Sequence, residues 1–141
     1  MVQKKKIKIF TQNVLMSNGN KWSSEKVTRD ILKEVQKTTK KDYKLVYMLA
    51  IKNANNILSN IEIKRRKNIF YIPFFNKKKK RIFNTIRLIC LQKTNKRKIN
   101  IISEEIIKLS RNKKSRTKVS ISVINSTSFI NKHFANYRWF Y

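Results

Sequence analysis

Five runs of positive residues carry the chain's main chemical potential: Lys4 to Lys6, Lys64 to Lys67, Lys77 to Arg81, Lys96 to Lys98 and Lys113 to Lys118. A lysine ammonium is a compact, hydrated charge suited to neutralising phosphate, and an arginine fork can bridge phosphate oxygens or stack on a base. One such run is often only a solvated face, but five with few acids between them point to a polyanionic partner. Lys64, Arg65, Arg66 and Lys67 stand just before Phe70 and Tyr71, a combination suited to single-stranded RNA through guanidinium and aromatic stacking. At the C-terminus, Phe134 is expected to dock on the core, while Arg138 and Trp139 are expected to be exposed, one for phosphate and one for stacking.

Covalent and metal chemistry find little material. Cys90 and His133 are the single cysteine and histidine. They could form a nucleophile and base, but Cys90 falls on the apolar side of its expected helix, where a buried structural thiol is the usual outcome. Glu104 and Glu105 are the only adjacent acids, and a place in a first helical turn explains them through dipole complementarity. A single glycine rules out a glycine-rich phosphate loop. The reading is therefore of a protein that is not an enzyme, with no cofactor and no metal. The longest apolar runs, 69–75 and 46–51, fall well short of the roughly 20 residues of a spanning helix, so no membrane partner is expected.

The whole chain sharpens the charge argument. Its 141 residues contain 35 Lys or Arg against 7 Asp or Glu, a net charge of +28, with 40% hydrophobic residues. That length and apolar fraction allow one domain with a core. The uncompensated charge opposes compaction and favours a partner rich in negative charge, above all nucleic acid. The abundance of Lys (26), Ile (20) and Asn (16) suits A/T-rich codons and hence a compact, often organellar, genome. The opening MVQKKKIKIF superficially resembles a transit peptide, but its consecutive lysines and alternating apolar residues favour a basic extension over residues 1–9, followed by one domain over 10–141.

The elements that would position these residues are mainly helical. Gly19 suits a turn after Phe10, Val14 and Leu15. A helix should follow with Ser23 as cap, Glu25 in its first turn, Trp22 and Val27 as a hydrophobic staple, and Val27, Ile31 and Val35 as its stripe. Asp42 should cap the next, with Val46, Leu49, Ala50, Asn53 and Ile57 on one side. Residues 61–75 read as a β-hairpin with a basic first strand, a turn at 67–68, inward Phe70, Ile72 and Phe74, and Pro73 at an edge or strand end. After Lys77 a helix buries Ile82, Ile86, Ile89 and Cys90 while Arg81 and Arg87 extend outwards. Ser103 with Glu104 and Glu105 reads as another helix start, with Ile102 and Ile107 at staple spacing and Ile102, Ile106 and Leu109 as its stripe. VSISVI at 119–124 fits a strand locally, yet Val119, Val123, Ser126, Ile130, Phe134 and Tyr137 advance by three or four, which supports one long helix. The expected fold class is mainly α, one domain with an inserted two-stranded hairpin.

These residues resemble small-subunit ribosomal protein seven over nearly the whole chain. NVLMSNG at 13–19 with Lys21 looks like that family's opening motif, VYMLAIKN at 46–53 its third helix, IEIKRR to IFYIP its basic hairpin, and FANYRW at 134–139 its C-terminal signature. The chain departs from the family in a shorter hairpin tip without glycine, in Asn56 where bacterial members usually carry proline, and in VSISVINST where a charged stretch opens the last helix. The resemblance implies six helices with a hairpin between the third and fourth. It further implies binding to the 3′ major domain of small-subunit rRNA, nucleation of head assembly, neighbouring head and platform proteins, and a place near E-site tRNA and the mRNA exit. By position it implies rRNA contacts at Lys4, Lys5, Lys6, Lys21, Lys77, Lys78, Lys79, Lys80, Arg81, Lys113, Lys114 and Arg116. Lys64, Arg65, Arg66 and Lys67 become hairpin contacts to RNA or tRNA, and Arg138 and Trp139 lie toward the mRNA path. The divergence suits a mitochondrial member in the matrix, with a plastid home as the less favoured alternative; a homo-oligomer is not expected. A basic nucleoid-associated DNA-binding protein is the rival expectation. A cationic membrane-active protein is a weaker one, because the apolar stripes suit packing on one another.

Overall fold

The computed structural model describes residues 2–65, 68–91 and 98–140. Among them the order is α1 (Val2–Leu15), α2 (Lys21–Thr39), α3 (Tyr43–Asn53), β1 (Leu58–Arg65), β2 (Asn68–Phe75), α4 (Lys78–Cys90), α5 (Lys98–Ser110) and α6 (Arg116–Ile130), then a 3-10 segment, Lys132–Phe140. The protein is thus mainly helical with one two-stranded antiparallel hairpin between the third and fourth helices.

Apolar residues at three- and four-residue spacing build the core. Ile31 and Val35 of α2 meet Val46, Tyr47, Ala50 and Ile51 of α3, Ile86, Ile89 and Cys90 of α4, and Ile102, Ile106 and Leu109 of α5. Each fully buried aliphatic side chain contributes about 1.5–3 kcal/mol relative to exposure. Ile7, Phe10, Val14 and Leu15 of α1 pack against this cluster. α1 runs from Val2 through to Leu15, so the boundary expected at residue 10 falls inside a continuous helix.

Several helix ends differ from expectation. α2 begins at Lys21 because Asn20 is its cap, its side-chain oxygen accepting from the Ser23 N–H at 3.1 Å. Trp22 is therefore helical and 72% exposed rather than stapled to Val27, and Glu25 lies beyond the first turn. Gly19 has the positive φ of +74° that the turn requires. Asp42 caps α3 as expected, but α3 ends at Asn53, Ile57 lies outside it, and both Leu49 and Ile57 are exposed. α5 starts at Lys98, so Ser103 and Glu105 are buried in its interior instead of opening it, and Ile102 is helical rather than half of a staple.

The hairpin begins three residues earlier than residue 61, and its register runs from Leu58↔Phe75 to Arg65↔Asn68. Asn68 therefore belongs to β2 rather than to the turn, and Arg66 and Lys67 lie outside the described residues. Ile72 is buried, while Phe70 and Phe74 are only half-buried. Pro73 sits opposite Asn60, in a sheet where both strands are edges, which tolerates its missing N–H.

The hairpin rests on α6 and the 3-10 segment. Period three to four wins over period two at 119–124, as the longer pattern predicts, but the helix stops at Ile130 and a 3-10 geometry follows. The expected stripe also points the other way: Val119, Val123, Ser126, Ile130 and Tyr137 are exposed, and Thr117 and Ser128 are the buried residues of α6. Asn60 of β1 explains the inversion. Its amide donates to Thr127 Oγ1 and the Ile124 carbonyl, and its oxygen accepts from Ser128 Oγ at 2.6 Å. A polar strand position thus selects the polar face of α6. Beyond it Phe134, half-buried, meets Phe70 edge-on at 5.3 Å, so it docks on the hairpin rather than on the core cluster as expected.

Candidate nucleic-acid interface

The amino end of α4 gathers the most charge in the least space. Lys77 occupies the cap position with extended backbone and makes no side-chain cap hydrogen bond. Lys77, Lys78, Lys79 and Lys80 are all exposed. The first N–H groups of a helix lack intrahelical acceptors and carry the positive end of its dipole, a ready anion site. α2 and α3 differ in having side-chain caps, Asn20 and Asp42, and α6 is capped by Ser115.

Packing brings a further lysine to this end. A groove of about 630 Å³ is lined by Ile7 and Phe10 of α1, Met48, Ile51 and Lys52 of α3, and Lys78, Lys79 and Ile82 of α4. Lys52 was not among the expected contacts, because it is separated from the other lysine of α3, Lys44, and belongs to no run that would mark it. Its groove partners come from α1 and α4, so only the tertiary arrangement reveals it.

Cations crowd the starts of α2, α4 and α6, while the acid Asp42 caps α3. None of α1 to α6 has an acid in its first turn, whereas Lys21 opens α2, Lys78 to Lys80 open α4 and Arg116 opens α6. A cation at the positive end of a helix is unfavourable by about 0.3–1 kcal/mol. A bound phosphate reverses that sign. Lys21, Lys113, Lys114 and Arg116 are exposed, as is Lys64 on β1.

Other expected contacts have different roles. Arg81 is half-buried, and its Nε donates to the Asn76 carbonyl at 2.7 Å, tying α4 to the end of the hairpin. Arg138 is likewise half-buried: its Nε donates to the Pro73 carbonyl at 2.6 Å, and its guanidinium lies 5.3 Å from the Phe75 ring centroid. It holds the 3-10 segment on β2 instead of projecting as a free contact. Trp139 belongs to that segment, but its side chain lies outside the described set, as do the side chains of Lys4, Lys5, Lys6 and Arg65. Of the run 96–98, only the backbone of Lys98 is described.

Trp22 is an exposed aromatic that sequence reasoning placed in a staple. It stands exposed beside Lys21, with Lys26 Nζ 5.4 Å from its ring centroid. An exposed aromatic among lysines offers a stacking surface for an unpaired base.

Cys90 is buried, and desolvation pushes its thiol up to about 12, so it carries no nucleophilic thiolate near neutral pH. Among the described residues no group of three or more His, Cys, Asp or Glu could hold a metal ion. No described helix is long and apolar enough to cross a membrane. Glu105 is buried and accepts from Thr117, and Glu104 pairs with Lys108 at 3.7 Å. The dipole-based expectation for Glu105 thus changes partner: it serves the amino end of α6, not that of its own helix. No family model matches the chain, and no curated protein matches it.

Proposed function

We propose that this protein is a structural RNA-binding component of a mitochondrial small ribosomal subunit, related to small-subunit ribosomal protein seven. In that role it binds the 3′ major domain of the small-subunit rRNA and helps nucleate the head, next to other head and platform proteins. E-site tRNA and mRNA pass nearby. It acts by neutralising phosphate and matching RNA shape, without chemistry of its own.

The observation that carries the reading is the amino end of α4, where four exposed lysines surround a helix start with no side-chain cap. Lys52 reaches the same groove from α3. The arrangement is unfavourable by itself and favourable against a phosphate backbone. The order of three helices, hairpin and three helices agrees with what the resemblance implies.

Sucrose-gradient sedimentation of mitochondrial lysate in moderate salt tests the reading. The protein should travel with the small subunit and its rRNA; recovery only in ribosome-free fractions overturns it. A nucleoid protein would instead bind duplex DNA and folded rRNA comparably at matched salt, whereas the ribosomal role requires preference for one rRNA junction that survives added salt.

A further inference from the structure

The outward face of α2 carries a cationic ridge that no run in the sequence marks. Trp22, Lys26, Arg29, Lys33 and Lys37 follow one another at helical spacings of three or four residues, and all of them are exposed. At about 3.6 residues per turn they share an arc of roughly 80° and a length of roughly 22 Å. The inward face holds Ser24, Thr28, Ile31 and Val35, the buried residues of the helix. The acids of α2, Glu25, Asp30 and Glu34, lie outside the arc and are half-buried.

Two properties set this ridge apart from an ordinary solvated face. None of its four cations forms an ion pair among the described residues, although Asp30 stands four residues after Lys26 and Glu25 four before Arg29. Arg29 with Lys33, and Lys33 with Lys37, are like charges one helical turn apart, and they repel. The ridge is therefore least favourable when bare, and a polyanion relieves it. The second property is Trp22, 72% exposed in line with these cations, with Lys26 Nζ 5.4 Å from its ring centroid. An exposed indole face gives nothing to a phosphate and is a surface on which an unpaired base stacks.

That combination discriminates among polyanions. A duplex keeps its base faces stacked inside and leaves the indole unused, and an acidic peptide brings charge without flat faces. A single strand of RNA supplies phosphate and base together, matching a basic track that ends in an aromatic platform.

We infer that the outer face of α2 is a track for unpaired RNA, on which Lys26, Arg29, Lys33 and Lys37 hold the phosphate backbone while Trp22 stacks a base at one end. The inference rests on the RNA-binding role proposed above and adds to it a single-strand contact separate from the lysines of α4.

Fluorescence titration of the full-length protein tests the track, the emission of Trp22 being the difference between the native protein and Trp22→Phe. Octa-adenosine should quench that emission as it binds. An abasic octamer of the same backbone should bind about tenfold more weakly and leave the emission unquenched, as the loss of one stacked base implies. Combined replacement of Lys26, Arg29, Lys33 and Lys37 by glutamine should raise the octa-adenosine concentration for half-quenching by about tenfold or more. It should also make the salt slope shallower by roughly two to three units, for four lost contacts to a single strand. The replaced side chains are exposed and repel one another, so the variant should keep its melting temperature. If it fails to fold, Trp22→Ala supplies the same discrimination and should bind octa-adenosine and the abasic octamer equally. Salt-dependent binding of octa-adenosine without quenching of Trp22, or quenching unaltered by the four replacements, overturns the track and leaves the RNA-binding role standing. Quenching by octaglutamate or by duplex RNA of the same length at lower concentration than by octa-adenosine assigns the face to an acidic protein or to a helix, and equally overturns it. Absence of salt-dependent binding both to the octamers and to rRNA overturns the track and the RNA-binding role together.

Discussion

Glu105 Oε1 accepts two hydrogen bonds from Thr117, one from its backbone N–H and one from its hydroxyl, both at 2.8 Å. Both residues are buried, and they join the interior of α5 to the first turn of α6. A carboxylate of one helix thus serves the positive end of the next, where α6 has no acid of its own. The contact matters because α6 turns a polar face inward and gains little from apolar burial.

Glu105→Ala should therefore destabilise the fold by about 2–3 kcal/mol, since it strands a buried N–H that was bonded to a charged acceptor. Glu105→Gln keeps an acceptor of the same shape and should cost less. Denaturant titration followed by circular dichroism measures both. Equal, negligible changes would show that α6 docks independently of this pair.

The lysines at the start of α4 should affect folding and binding with opposite signs. Replacing Lys78, Lys79 and Lys80 with glutamine removes three cations from the positive end of a helix dipole. The free protein should gain about 0.3 kcal/mol or more per site at low ionic strength. Affinity for rRNA should fall, and the slope of log K against log salt should become shallower by roughly two to three units, for three lost phosphate contacts. Lower stability together with unchanged RNA affinity would remove α4 from the interface.

Cys90 sets a pH dependence whose sign follows from its burial. Its thiol is pushed up from 9.0 to about 12. The unfolded chain therefore releases this proton first as pH rises. The stabilisation is complete below pH 9 and is lost as pH climbs toward 12, at up to about 1.4 kcal/mol per pH unit. Tyr47, whose hydroxyl lies 2.9 Å from Thr11 Oγ1, is also raised, chiefly by burial and secondarily by Cys90. Thermal melts of the native protein and Cys90→Val across pH 7–11 should coincide below pH 9 and diverge above it, the native protein falling faster. Parallel curves throughout would mean that the thiol ionises freely in the fold.

The core was legible because its cause is local. Ile31, Val35, Ile86, Ile89, Ile102 and Ile106 follow helical spacing and are all buried. The inverted α6 was not legible, because the burial of Ser128 depends on Asn60, 68 residues away in sequence. Asparagines were read as a codon signature, yet Asn60 and Asn76 hold elements together: Asn76 accepts from Ser59 and donates to the Asn56 carbonyl. Charge runs marked the lysines at 77–80 correctly as exposed, but no local pattern could add Lys52 to their groove or remove Arg81 and Arg138 from the list of outward contacts. An arginine's role depends on which carbonyl lies within reach, and that is a tertiary fact.

Arg138 shows how such a reassignment can be tested. Its Nε bonds the Pro73 carbonyl and its guanidinium covers Phe75, so it links the 3-10 segment to β2. Arg138→Ala should raise the opening equilibrium of residues 132–140 about fivefold to tenfold, read by amide hydrogen exchange, because a charge-assisted hydrogen bond is lost at a half-buried site. Arg138→Lys should not restore protection, since an ammonium lacks the planar fork that both donates and stacks. RNA affinity should change less than twofold in either variant. A large loss of RNA affinity with unchanged exchange would return Arg138 to the interface that its position near the C-terminus first suggested.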